Sequence, residues 1–208
     1  MKQNSDLHGN APDSSPVALL LIDVINDLEF EGGEKLLRHA LPAARRIAAF
    51  KKRCVNAGIP AIYVNDNFGK WQSDFKKLIS HCLDDHTRGR EIVELLKPAG
   101  DDYFVLKPKH SGFYSTTLDL LLKHLGADTL ILAGFTADIC ILFTANDAYM
   151  RDYRLVIPAD CVASQDETEN ERALKFMERV LKADVSPSAG DLSPYSELQR
   201  VKSLQRHY

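Results

Sequence analysis

The chain has 208 residues, 26 of them Lys or Arg and 29 Asp or Glu, so its formal charge is −3, and 45% of it is apolar. Those figures exclude disordered and fibrous chains, and the slight negative charge argues against a nucleic-acid or polybasic membrane binder. No apolar run approaches the ~20 residues of a membrane-spanning helix. A globular chain of this size buries roughly 70% of its unfolded surface and needs no disulfide staples.

Residues 1–15 are polar, read as a mobile leader and lack a secretion-signal core, so the expected location is cytoplasmic. Val17-Ala-Leu-Leu-Leu-Ile-Asp23 is a continuous apolar run ending in a carboxylate, as in a strand buried on both faces of a parallel sheet. After the Gly32-Gly33 loop, Leu36, Leu37, Ala40, Ala44, Ile47 and Phe50 form one stripe of a helix over 36–56. Gly58 follows as its stop and Pro60 lies just beyond. The second strand is Ile59–Val64, leading into Asn65-Asp66-Asn67. Residues 68–90 are polar, with isolated Phe68, Trp71 and Phe75, and read as a lid or pocket-facing insertion. A short helix over 90–97 ends at Pro98, and the third strand, Tyr103–Leu106, runs into Lys107-Pro108. A helix over 116–125 stops at Gly126, strand four is Thr129–Gly134, and a helix covers 136–152. Strand five is Arg154–Pro158, an amphipathic helix covers 167–181, and Ala183–Ser186 is expected as a sixth, edge strand. The tail over 187–208 is polar.

Alternating strands and helices give an α/β, three-layer Rossmann-like fold: a mainly parallel sheet of about six strands flanked by helices. No repeat or linker divides it, so one domain is expected over 16–186. In such sheets ligands bind beyond the carboxyl ends of the strands. That rule places Asp23, Lys107 and the segment from Gly134 to Cys140 on one edge. The four cysteines, Cys54, Cys82, Cys140 and Cys161, form no C-x-x-C pair, which removes the commonest zinc and dithiol patterns.

Four segments in order resemble one family, the isochorismatase-like cysteine hydrolases, which include nicotinamidases, N-carbamoylsarcosine amidohydrolases and ureidoacrylate amidohydrolases. They are Leu19-Leu-Leu-Ile-Asp23-Val-Ile-Asn-Asp27; Val105-Leu-Lys107 with Ser111-Gly-Phe113 and Thr116-Thr-Leu118; Gly134-Phe-Thr-Ala-Asp138-Ile-Cys140 with Thr144-Ala-Asn-Asp147; and Val156-Ile-Pro-Ala-Asp160. The resemblance spans roughly residues 16–186. It implies Cys140 as nucleophile, Asp23 as its base and Lys107 as the accompanying cation. It also implies a cis peptide between Phe135 and Thr136, with the backbone N–H groups of Thr136 and Cys140 forming an oxyanion hole. A cation and a helix N-terminus lower a thiol's pKa, so an activated Cys140 is expected.

Asn26, Phe68, Trp71, Phe113 and Phe135 are candidates for the substrate pocket, each also able to be plain packing. Tyr114 is a further candidate of the same kind. Lys109 and His110 add positive potential that suits a carboxylate-bearing substrate. The resemblance implies a small amide, carbamoyl or ureido substrate and a homodimer or homotetramer. Metal-dependent nicotinamidases carry Asp-x-His after the second strand; here the histidine position is Phe68, so no metal and no cofactor are expected. The family's Thr before Asp138 is Ala137, and its Gln after the first Asp is Ile25. True isochorismatases lack the nucleophilic cysteine, so Cys140 argues against vinyl-ether hydrolysis. Two other classes compete: a catalytically silent binding or scaffolding protein, and a thiol redox protein using Cys140.

Overall fold

Six consecutive side chains with no measurable exposure, Val17–Ile22, form the central strand β1 of the sheet. A computed structural model of the protein describes residues 14–67, 74–84, 86–190 and 192. Phe68 and Trp71 lie outside the described residues, as do most of the N-terminal leader and most of the tail. The elements follow as α1 (Gly33–Asn56), β2 (Ala61–Asp66), α2 (Phe75–Cys82), α3 (Arg90–Leu95), β3 (Tyr103–Lys107), α4 (Leu118–Leu125), β4 (Thr129–Phe135), α5 (Leu142–Tyr149), β5 (Arg154–Val156), β6 (Val162–Ala163) and α6 (Glu167–Leu181). A π-helical turn, Ala137–Ile141, precedes α5, and a 3-10 turn, Ala159–Cys161, precedes β6. The strand order is β3-β2-β1-β4-β5, all parallel, with β6 also pairing with β4.

Side-chain alternation along β1 divides the core into two layers. Val17, Leu19 and Leu21 join Leu36, Ile47 and Phe50 of α1 and Ile92 of α3. Ala18, Leu20 and Ile22 join Leu118 and Leu122 of α4, Ala145 of α5 and Met177 of α6. The mainly parallel α/β fold read from the alternating elements is thus the observed one.

Three local readings change. The polar stretch after β2 contains α2, because Asp74 caps it by accepting from Lys77 N at 3.0 Å, and Phe75 and Cys82 give it a buried side. The sixth strand is Val162–Ala163, docked beside Gly134 and Phe135. Ala183–Ser186 supplies only an isolated bridge between Asp184 and Val156. The helix expected from 136 begins instead as a π turn: Thr136 O accepts from Ile139 N (3.3 Å) and Ile141 N (3.0 Å), bypassing the N–H of Cys140 that an α-helix would use.

Register decides what meets at the carboxyl edge. Ile22 is level with Val64 and Gly134, and Asp66 is level with Lys107. Gly134 has φ +127°, and a Cβ there would lie 2.0 Å from the carbonyl oxygen of Ile22, so only glycine lets β4 approach β1 at this point.

Candidate active site

Asp23 is the first residue past β1 and has φ +51°, a left-handed conformation that Asp tolerates better than most residues. Its backbone N–H still reaches Val64 O at 3.0 Å, while its Oδ1 accepts from Asp66 N at 2.7 Å. The carboxylate is therefore held over the end of β2 and turned toward β3. Lys107, the last residue of β3, is wholly buried. Its Nζ lies 2.8 Å from Asp23 Oδ2, 3.2 Å from Lys109 O and 3.5 Å from Cys140 Sγ. A charged ammonium without solvent needs such partners.

Cys140 lies in the π turn after β4, partly exposed, and its sulfur accepts from Lys107 Nζ, which also holds Asp23. The structure thus brings Asp23, Lys107 and Cys140 together from three separate strand ends. Burial raises the Asp23 pKa from 3.8, despite the opposing charge of Lys107. Burial alone would lower Lys107, but the charges of Asp23, Cys140 and Asp66 outweigh it and the pKa is raised, so the side chain stays a cation. Burial and the Asp23 charge push the Cys140 thiol up, against the pull of Lys107. The expectation of a lowered thiol pKa is therefore corrected. Burial and the neighbouring carboxylate thus favour the thiol form of Cys140 over the thiolate.

The peptide between Phe135 and Thr136 is cis. Asp138 anchors the turn: its N–H reaches Ser164 Oγ (3.3 Å), which donates back to Asp138 Oδ1 (2.6 Å). Among the described residues the buried hydroxyl oxygen of Thr136 has no hydrogen-bond partner.

The other pocket candidates fare differently. Phe113 is buried against Tyr153 (ring centroids 6.0 Å) and under the Arg151 guanidinium (4.8 Å), so it belongs to the core. Phe135 is likewise buried in the core, on the α1 side of the sheet. Asn26 is partly exposed, but its Oδ1 is taken by Leu28 N at 2.8 Å. Tyr114 is exposed. Lys109 and His110 are exposed, and the His110 ring sits 5.5 Å from that of Phe143. Cys54, Cys82 and Cys161 are buried. Asp66, given no role by the sequence, has its Oδ2 3.7 Å from Lys107 Nζ. The strand-end rule that found Asp23 and Lys107 could have found it, since it ends β2. Among the described residues no group of three or more His, Cys, Asp or Glu could hold a metal ion, and no helix is long and apolar enough to cross a membrane.

The site thus lies on a parallel α/β sheet with a carboxylate, an ammonium and a thiol at its carboxyl edge, and comparison with known proteins gives its family. The isochorismatase domain model matches residues 17–188, and the chain belongs to this isochorismatase-like hydrolase family. It is 43% identical over 169 residues (81% of this chain, 92% of the relative) to the uncharacterized isochorismatase family protein YaaI of Bacillus subtilis. It is 32% identical over 136 residues to enterobactin synthase component B of Escherichia coli K12, covering 63% of this chain but 47% of that protein. Among solved structures, N-carbamoylsarcosine amidase from Thermoplasma acidophilum superposes with a TM-score of 0.65 at 28% identity, covering 84% of this chain and 98% of the other. A nicotinamidase from Staphylococcus aureus shares the fold, with a TM-score of 0.61 at 22% identity and coverage of 83% and 98%.

Proposed function

We propose that the protein is a cysteine-dependent hydrolase that cleaves the C–N bond of a small amide, carbamoyl or ureido compound through a thioester. The observation that carries this reading is the contact set around one buried ammonium: Lys107 Nζ is 3.5 Å from Cys140 Sγ and 2.8 Å from Asp23 Oδ2. Similarity to an N-carbamoylsarcosine amidase supports it.

The raised pKa of Asp23 makes it the better proton acceptor. As the Cys140 thiol gives its proton to Asp23, its sulfur bonds to the substrate carbonyl carbon. The carbonyl π electrons move to oxygen, and the backbone N–H groups of Thr136 and Cys140 receive the oxyanion. Asp23 then returns the proton to the departing nitrogen, the C–N bond breaks, and ammonia or an amine leaves. Water attacks the thioester, giving one proton to Asp23. The C–S bond breaks, the sulfur recovers the proton, and a carboxylic or carbamic acid leaves. Lys107 stays charged throughout and stabilises the sulfur whenever it is an anion.

The test is incubation with a panel of small amides and ureido acids, reading released ammonia and the mass of the Cys140 peptide. The expected result is ammonia release with a transient acyl adduct on Cys140, both lost in Cys140→Ala with folding unchanged. Turnover surviving Cys140→Ala would sink the proposal. Binding of a panel compound with no turnover would favour a silent scaffold instead.

A further inference from the structure

The sheet order sets a mechanical problem. Lys107 ends β3 and Cys140 follows β4, and β2 and β1 lie between those strands. Three interstrand intervals of about 4.8 Å separate them by roughly 14 Å, yet Nζ and Sγ stand 3.5 Å apart. The lysine bridges part of the gap by its length. The backbone over 108–117 must hold its place relative to the nucleophile turn.

That loop is fastened to α5 by two side chains one turn apart on the helix. Thr144, wholly buried, donates its hydroxyl to Cys140 O (2.7 Å) and accepts from Gly112 N (3.0 Å). One oxygen thus touches both the residue bearing the sulfur and the loop that follows the lysine. Ser111 Oγ donates to Asp147 Oδ2 (2.5 Å) and accepts from Phe113 N (3.1 Å), and Asp147 is itself held by Arg151 (2.9 Å). The fit at Gly112 is close: a Cβ there would come within 2.8 Å of Val64 Cγ1 and 3.2 Å of Leu118 Cδ2. The loop backbone is therefore pressed onto the sheet where the two hydrogen-bonded anchors seize it.

We propose that Thr144 is a positioning residue that fixes the separation of the Lys107 ammonium and the Cys140 sulfur by tying the 108–117 loop to the nucleophile turn, with the Ser111–Asp147 bond as its second anchor. It rests on the proposed function only in treating the Lys107–Cys140 contact as the functional one. Losing the Thr144 hydroxyl leaves the Gly112 N–H buried without its acceptor, and the loop that follows the lysine relaxes away from the turn.

The experiment alkylates Cys140 in the full chain with anionic iodoacetate and neutral iodoacetamide at one pH, following the Cys140 peptide by mass spectrometry. A cation beside the sulfur favours the anionic reagent, whereas general loosening of the fold accelerates both reagents. In Thr144→Val the iodoacetate-to-iodoacetamide rate ratio is expected to fall about threefold or more as the charge recedes. In Thr144→Ser, which keeps the hydroxyl, the ratio stays at the wild-type value. A folded T144V protein with an unchanged ratio overturns the proposal, as does a T144S protein whose ratio falls as far. Should T144V not fold, Ser111→Ala decides: a lower ratio supports the clamp and an unchanged ratio overturns it. Because neither reagent needs amide turnover, a fall in ratio without hydrolysis of any amide would keep the clamp and remove the hydrolase reading.

Discussion

Strand β3 has a lysine–aspartate pair at each end, the first partly buried and the second buried, and the two pairs do different things. At its start, Lys51 of α1 meets Asp102 at 2.5 Å, with side-chain exposures of 13% and 7%. At its finish, Lys107 meets Asp23 at 2.8 Å, with exposures of 0% and 9%. The first pair is closed by rigid neutral groups: Lys51 also donates to Tyr63 OH at 3.0 Å, Tyr63 donates to Leu96 O, and Asp102 accepts from Ala99 N. The second pair shares its space with a thiol. Burial alone does not make a reactive site. A buried pair becomes chemical when one of its neighbours can exchange a proton with it.

Charge-neutral replacement of each lysine separates the two roles. Lys107→Met leaves Asp23 buried without its cation, which costs about 3–5 kcal/mol of stability. It is also expected to lower kcat/KM for the amide substrate by roughly 10³-fold or more, since the anionic sulfur loses its stabilising charge. Lys51→Met strands Asp102 in the same way and costs about 3 kcal/mol, read as a lower urea midpoint. At temperatures where the variant is folded, its kcat/KM is expected to match wild type. A large kcat loss in Lys51→Met would erase the distinction drawn between the pairs.

The pH profile sharpens the same contrast. Asp23 must be ionised to accept the thiol proton, and burial raises its pKa above 3.8. The rate therefore falls on acidification, starting at a pH higher than an exposed carboxylate would set. Below that pKa it drops tenfold per unit. A kcat/KM profile from pH 3 to 8 checks this, and an acid limb at or below 3.8 would contradict it. Lys51→Met should leave the limb where it is, because Lys51 neither hydrogen-bonds Asp23 nor is among the charges acting on it.

Much of this was legible in the residues, for physical reasons. The apolar run of β1 and the strand-helix alternation gave the parallel sheet, and the sheet gave the edge on which Asp23, Lys107 and Cys140 lie. Spacing could not reveal the π turn, because it arises from Thr136 O being shared by Ile139 and Ile141 and from the Ser164–Asp138 bond, a contact 26 residues apart. The sequence left Phe113 open between pocket and packing, because only the tertiary fold carries its ring to Arg151 and Tyr153. The thiol's raised pKa was also illegible. A nearby cation and a helix start both argue for lowering, and only the three-dimensional burial beside Asp23 reverses the sign.

The smallest expected effect comes from a place with no buried charge pair, the start of α6. Asp166 Oδ1 accepts from Thr168 N (2.8 Å) and Glu169 N (3.1 Å), capping the helix. Asp166→Ala removes both bonds and is expected to cost about 1 kcal/mol, seen as a lower urea midpoint at unchanged m-value. Helix α6 packs against the π turn and α5, so it adjoins the nucleophile segment without touching the proton path. If stability and chemistry are separable as the two ends of β3 indicate, Asp166→Ala keeps both the iodoacetate-to-iodoacetamide ratio at Cys140 and the acid limb of the rate. A shift in either would mean that the turn holding the sulfur responds to any loss of stability nearby, and the contrast between the two lysine pairs would then be one of degree.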